Sequence, residues 1–232
     1  FKHLARRNLP MVYIVENNGV YGLTKGQFSA TAEEGLLLKR QGINTYLPVD
    51  ICMEALVTNA SFVARGFAGD PKQLKNLLKA ALSHDGLAIL DIISPCVTFH
   101  NKENSYHSYL WGKEHEVQLH DIEFVQARDE ITIEDFEPGS SKEVSLHDGT
   151  VVLMKKLEKD YDPTNRYEAL RILEEAEREN TLITGLLFVD PNAKTLFDRY
   201  SLPDQPLNRL ETSKLRPSID VLEKVNQSLF MK

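Results

Sequence analysis

The stretch Tyr13-Ile-Val-Glu-Asn-Asn-Gly-Val-Tyr-Gly-Leu-Thr-Lys-Gly-Gln-Phe-Ser-Ala-Thr31 decides the reading of this chain. Met11 to Val15 is an apolar run of strand length. It empties into two asparagines and a glycine, followed by about fifteen positions with neither helical nor strand period. A buried strand that opens into a polar, glycine-punctuated loop is the usual ligand-binding layout of an open α/β sheet. Asn18 offers a neutral side-chain oxygen, Gly19 lets the chain turn, and Val20 presents a carbonyl two positions on. Oxygens at i and i+2 can hold one hard cation from one side. Mg²⁺ takes few ligands from protein and leaves places for phosphate oxygens and water. The competing reading is an Asn-Gly turn closing a hairpin. It is disfavoured because no alternating strand follows Val20.

The rest of the chain reads as alternating strands and helices. Phe1 to Arg7 is the tail of a helix and Leu9-Pro10 a break. A short helix is possible over Glu33 to Arg40, where Leu36, Leu37 and Leu38 could pack. Asp50 can cap a helix through Ile51, Cys52, Ala55 and Leu56. Phe62 to Arg65 is a strand. Asp70-Pro71 opens a helix in which Leu74, Leu77, Leu78 and Leu82 share one face. Leu87 to Ile93 is a nearly continuous apolar strand, buried on both sides. Strand, helix and strand in this order make a βαβ unit of a parallel sheet.

From Glu116 to Leu157 the texture becomes β-rich. Val144 and Leu146 face Val151 and Leu153 across Asp148-Gly149, the signature of a two-residue hairpin. Asp160 to Asn165 turns around Pro163. Arg166 to Glu179 is an amphipathic helix on Ala169, Leu170, Leu173 and Ala176. Leu182 to Val189 is a further apolar strand, Pro191 to Arg216 is extended, and Pro217 to Leu229 is a last helix. The expected fold class is α/β, a parallel sheet with helices on both faces plus a small β-hairpin extension.

Composition bounds the function. The chain has 232 residues, 42% of them hydrophobic, enough for a sizeable core. A net charge of −7 argues against nucleic acid as the main partner, because phosphate binding needs a basic face. No apolar run reaches bilayer-spanning length and no signal-peptide pattern opens the chain. Two cysteines, Cys52 and Cys96, are too few for a disulfide framework and suit a reducing cytoplasm. His100, His107, His115 and His120 could suggest metal binding, but they have no zinc-type spacing and read first as solvated or hydrogen-bonded loop residues, with a metal role second.

Glu16-Asn-Asn-Gly-Val-Tyr-Gly-Leu-Thr-Lys-Gly-Gln27 resembles the thiamine-diphosphate loop of the beta subunit of 2-oxoacid:ferredoxin oxidoreductases, and most of all the 2-oxoglutarate type. Ser94-Pro-Cys-Val-Thr-Phe99 and Tyr161-Asp-Pro-Thr164 extend the likeness over most of the chain. The resemblance implies that Asn18 and Val20 ligate Mg²⁺. It implies that Val20, Gly22 and Leu23 contact thiamine diphosphate, with Leu23 under the ring pair, and that Lys25 faces the substrate. An ammonium there suits the distal carboxylate of 2-oxoglutarate. Cys96, taken alone, reads as a small buried hydrophobe, against which stand an exposed turn at Pro95 and the polar run from His100 to Ser108. The resemblance makes it the last thiolate ligand of a [4Fe–4S] cluster whose other ligands lie elsewhere.

No Gly-Asp-Gly precedes Asn18, although thiamine-diphosphate enzymes carry one ahead of the Asn-Asn pair. The expectation is therefore the C-terminal portion of a longer subunit. Residues 1–94 would be the second half of the cofactor domain. Residues 95–232 would be an extension with the cluster cysteine, the hairpin and the terminal helices. The implied reaction is oxidative decarboxylation of a 2-oxoacid with coenzyme A, electrons passing to ferredoxin and an alpha/gamma subunit completing the enzyme. No side chain is assigned as a general base. Turnover of pyruvate or a broader set of 2-oxoacids is the enzymatic alternative. A non-catalytic assembly subunit of the same fold is the alternative from another class.

Overall fold

The computed structural model describes residues 1–102, 105–125, 141–145, 151–156 and 161–230. Its centre is a five-stranded sheet. In chain order the strands are β1 (Met11–Asn17), β6 (Phe62–Phe67), β7 (Leu87–Ile93), β8 (Glu116–Gln118) and β12 (Leu182–Val189). Their spatial order is β1-β7-β6-β12-β8. The first three run parallel, as the βαβ pattern requires, while β12 lies antiparallel to β6 and carries β8 parallel at the far edge. The α/β class is borne out. The sheet is parallel through β1, β7 and β6, and the departure is β12, laid against β6 in the opposite sense after the chain returns through α5 (Arg166–Glu179).

The period-two alternation of the strands separates two cores. Val63, Leu87 and Ile89 point to the side covered by α1 (Lys2–Arg7), α2 (Ile51–Val57) and α5, among Ala5, Cys52, Leu56, Ala169 and Leu173. Phe62, Ala64, Ala88 and Leu90 point to the side covered by α3 (Pro71–Ser83), through Leu77, Ala80 and Ala81. Helices therefore lie on both faces. Asp70 caps α3 by accepting from the backbone N–H of Lys72 and Gln73, both at 3.1 Å, with Pro71 at the first helical position. Asn165 caps α5 in the same way.

Several local expectations change. Strand β1 is an edge of the sheet, not a buried strand, and Met11 and Ile14 are exposed. Leu82 is 75% exposed and lies off the apolar face of α3. Residues Glu33 to Arg40 are not helical. Leu37–Leu38 (β4) pairs with Gly42–Ile43 (β5), so Leu36 and Leu38 turn inward and Leu37 outward. Two alternating leucines satisfy a strand pleat, and two residues later Arg40 and Gly42 favour the turn.

A second sheet of three antiparallel strands contains β9 (His120–Val125), β10 (Ser141–Ser145) and β11 (Val151–Lys156), in the order β10-β11-β9. Ser145 pairs with Val151, one residue away from the partner that a two-residue turn at Asp148-Gly149 would set. That turn, with Ile131, Ile133 and Leu146, lies outside the described residues. Val117 and Leu119 belong to the central sheet or its rim instead of an appendage, since β8 pairs with β12 and Leu119 donates its N–H to Thr184.

Two compact units divide the chain, Phe1–Leu196 and Phe197–Lys232. The boundary expected between residues 94 and 95 falls inside the first unit, because β8, α5 and β12 complete the sheet begun before it. The segment expected to be extended carries short helices, α6 (Leu196–Tyr200) and α7 (Thr212–Leu215), while α8 (Ile219–Phe230) bears out the last helix. Among the described residues no helix is long and apolar enough to cross a membrane.

Leu77 is fully buried between α3 and the sheet. Leu77→Ala should lower stability by about 2–5 kcal/mol. Leu82→Ala should change it by less than about 0.5 kcal/mol. Urea midpoints of the two variants test the assignment of the apolar face, and similar losses would refute it.

Candidate functional site

Three strands end at one place, and the alternation that builds the core continues into polar residues there. Val15 is followed two positions on by Asn17, Val63 by Arg65 and Ile89 by Asp91. All three polar residues are buried. Arg65 donates through Nε to Asp91 Oδ2 at 3.1 Å and through its terminal nitrogen to Asp50 Oδ2 at 2.7 Å. Asp91 Oδ1 accepts from Asn17 Nδ2 at 3.1 Å. Burial pushes the Asp91 carboxyl above its ordinary value even though Arg65 pulls it down. Burial alone would lower the Arg65 guanidinium, but the Asp50 carboxylate holds it well above its usual range. Asp50 also accepts from the backbone N–H of Met53 at 2.8 Å, so its capping role is borne out and joined by an ion pair.

The loop after β1 is built on that network. Asn18 Oδ1 accepts from the Val20 N–H at 3.0 Å and Gly19 turns at φ +69°. Val20–Tyr21 (β2) then pairs with Gln27–Phe28 (β3). A hairpin does form, contrary to expectation, but Asn18-Gly19 is not its turn. Its tip is Gly22 to Gly26, where Lys25 adopts φ +72° and Leu23 is 99% exposed. Lys25, Lys39, Arg40 and Lys102 line a cavity of about 680 Å³ together with Thr98 and Phe99.

The segment after β7 packs beneath the loop. Pro95 is buried and Cys96 half-buried, not on an open turn as the sequence suggests. The Cys96 carbonyl accepts from His100 N–H at 2.7 Å, and Cys96 packs near Val20, Leu36 and Phe99. Cys52 lies apart in the helical core, where burial pushes its thiol well up. His100 and His107 are hydrogen-bonded loop residues, as expected, but buried ones, and no local pattern in the sequence signals that they meet the loop asparagines. His100 Nδ1 meets the Asn18 carbonyl at 3.0 Å and His107 Nε2 meets Asn17 Oδ1 at 3.1 Å. Glu33 joins them, 3.1 Å from His107 Nδ1. Burial alone would raise the Glu33 carboxyl, but its contacts with His107 and Ser105 leave it below its ordinary value. Burial, with His107 nearby, pushes the His100 imidazole down. His115 stacks on Trp111, and the side chain of His120 lies outside the described residues. The one available signal was the charged residue inside an otherwise apolar strand, Arg65 in β6 and Asp91 in β7.

Asn18 Oδ1 keeps a second lone pair after accepting from Val20, so it remains able to ligate a hard cation. Two hard oxygens at i and i+2, outside the carboxyl end of a strand, fit a partial Mg²⁺–diphosphate site. Cys96 is a half-buried free thiol beneath the loop, and Cys52, the chain's other cysteine, lies inside another core and adds no second thiol beside it.

Comparison with known proteins bears out the relationship carried by the Asn-Asn-Gly loop. Residues 1–92 match the family described as thiamine pyrophosphate enzyme, C-terminal TPP binding domain. Beyond that class, the chain is similar to beta subunits of 2-oxoacid:ferredoxin oxidoreductases. It is 44% identical over 110 residues to the one from Saccharolobus solfataricus, covering 44% of this chain and 35% of that protein. It is 34% identical over 99 residues to the 2-oxoglutarate synthase subunit KorB of Archaeoglobus fulgidus, covering 42% and 37%. The matches thus span only about a third of these relatives' length. The fold is similar to a solved 2-oxoglutarate:ferredoxin oxidoreductase from Magnetococcus marinus with 2-oxoglutarate, coenzyme A and succinyl-CoA bound. That similarity has TM-score 0.60 and 26% identity, and covers 86% of this chain and 54% of that one.

A Cβ on Gly19 would come within 2.8 Å of His100 Nδ1, at a φ that side chains rarely adopt. Gly19→Ala should cost about 1–3 kcal/mol from strain at that backbone position. Denaturant unfolding of the variant measures the loss, and wild-type stability would show that the loop relaxes freely.

Proposed function

We propose that this chain is the part of a 2-oxoacid:ferredoxin oxidoreductase beta subunit that grips thiamine diphosphate, and that the enzyme acts on 2-oxoglutarate. The observation that carries the reading is the turn Asn18-Gly19-Val20. It offers a side-chain oxygen and a carbonyl at the carboxyl end of β1, anchored from below by Asn17, Asp91 and Arg65. Bound thiamine diphosphate supplies the carbanion and the electron sink for decarboxylation. This chain's residues bind and orient. Asn18 and Val20 hold Mg²⁺, and Gly22 leaves room beside the cofactor. Leu23, bare in the free chain, is covered by the cofactor ring. Cys96 holds one iron of a [4Fe–4S] cluster that passes electrons to ferredoxin. An alpha/gamma subunit and coenzyme A complete the reaction in the cytoplasm.

Support for a dicarboxylate comes from charge. Four cationic side chains line the cavity beside Lys25. An anionic substrate tail gains from that field, and an ammonium accepts a lone carboxylate as a point charge.

Asn18→Ala in the assembled enzyme should abolish thiamine-diphosphate retention. Cofactor content after gel filtration is the measurement, and wild-type stoichiometry would rule the Mg²⁺ assignment out.

Lys25→Ala should lower kcat/KM for 2-oxoglutarate roughly tenfold to a hundredfold, the worth of one charge-assisted hydrogen bond, and leave pyruvate turnover nearly unchanged. Equal losses on both substrates would mean that Lys25 serves the loop and not the substrate.

A further inference from the structure

The His107 backbone N–H donates to Glu33 Oε1 at 3.0 Å and to Ser105 Oγ at 3.1 Å, but the side-chain contacts of His100, His107, Glu33 and Ser105 still outnumber the protons those side chains carry. His100 Nδ1 faces the carbonyl of Asn18, which can only accept, so Nδ1 carries a proton. Asn17 is oriented by its own bonds. Its Nδ2 donates to the Asp91 carboxylate, and its Oδ1 already accepts from Thr31 Oγ1 at 2.6 Å. His107 Nε2 therefore donates to that Oδ1. Each neutral imidazole has spent its single proton on the far side. The near nitrogens, His100 Nε2 and His107 Nδ1, are lone pairs. They converge on Glu33 Oε1, at 3.8 Å and 3.1 Å. Ser105 Oγ stands among them, 2.7 Å from His100 Nε2 and 2.8 Å from Glu33 Oε1, with one proton to share between two acceptors.

Lone pairs aimed at one another in a buried place repel unless a cation lies between them. Either extra protons or a metal ion must fill the gap. We infer that Glu33, His100 and His107 bind a divalent transition-metal ion of the zinc type, with the Ser105 hydroxyl or a water closing the tetrahedron.

Several observations favour metal over protons. The ligand atoms lie within 4.8 Å of one another, the one such group of three among the described residues. Tetrahedral bonds of about 2.0–2.2 Å put ligand atoms roughly 3.3–3.5 Å apart, between the two separations found here. Both rings donate their outer N–H to an oxygen, the arrangement that fixes the tautomer of metal-binding histidines. Imidazole with carboxylate selects zinc-class ions over Mg²⁺. Glu33 and His107 also line a cavity of about 490 Å³, which gives an ion a path in.

Such an ion would tie the cofactor loop, through Glu33, to the segment after β7, through the two histidines. The outer nitrogens of those rings hold Asn17 and the Asn18 carbonyl. The metal would therefore act as a positioning element for the turn and would not touch substrate.

The assembled enzyme, stripped with a chelator, supplied with one equivalent of Zn²⁺ and desalted, should keep one zinc per chain. Crystals should show an anomalous peak at the zinc edge within bonding distance of His100 Nε2, His107 Nδ1 and Glu33 Oε1. Glu33→Gln keeps the shape and removes the charge, and should weaken zinc binding at least tenfold. The inference is overturned by no retained zinc in the wild type, by a peak elsewhere, or by equal zinc in the variant. Imidazole ¹⁵N shifts of two doubly protonated rings in zinc-treated protein would also overturn it, since protons alone then fill the cluster. The wild-type peak does not depend on how the variant folds. None of these readouts depends on thiamine diphosphate, whose retention is measured separately.

Discussion

Arg65 lies buried between two carboxylates at the end of a parallel strand, and the functional loop depends on that arrangement. A guanidinium taken out of water needs its charge matched and its fork of donors filled. Asp91 and Asp50 match the charge and take Nε and one terminal nitrogen. Asp91 then passes the order on, because its second oxygen orients the Asn17 amide. Asn17 in turn receives His107 and Thr31. Removing one member would leave a buried charge or an unsatisfied amide, which costs more than the pair contributes. Rigidity of the Asn18 turn is thus inherited from a polar layer set into the sheet itself.

The same layer explains why the site sits where it does. In parallel strands the side chains of one face advance together, so apolar residues that build the core give way at one end to polar ones. Asn17, Arg65 and Asp91 reach the carboxyl ends of three adjacent strands on the side covered by α2 and α5. Asp50 joins from the start of α2, where one carboxylate serves as both helix cap and counter-ion. Such positions carry ligands in open α/β sheets because loops there meet helix starts and unpaired backbone groups. Here the loop between Asn17 and Gly42 folds back over them, tied by Glu33 to the segment that follows β7.

Much was legible in the sequence where local chemistry decides. Asp70-Pro71 and Asp50 were readable as caps, because a carboxylate just ahead of a helical pattern can accept from the free N–H groups of its own first turn. The seven-residue run Leu87–Ile93 is too apolar to lie anywhere but the middle of a sheet. The Asn-Asn-Gly turn carried the relationship to thiamine-pyrophosphate enzymes because its composition is rare and its spacing short. Where competing periods overlap, the reading failed. Leu36 to Leu38 fits a helix or a strand equally over three residues, and pairing with Gly42–Ile43 chose the strand.

What the sequence by itself determined is therefore the set of elements, the two-faced burial of the central strands and the likeness of the Asn-Asn-Gly loop to thiamine-pyrophosphate enzymes. Each follows from interactions within about a dozen residues. Tertiary structure alone decided the antiparallel placement of β12, the hairpin after Val20 and the buried polar cluster. His100 and His107 stand some eighty to ninety positions from the asparagines they touch. No local period encodes that meeting. It arises because adjacent parallel strands β1 and β7 end side by side, so that the segments leaving them must share the same volume and satisfy each other's polar groups.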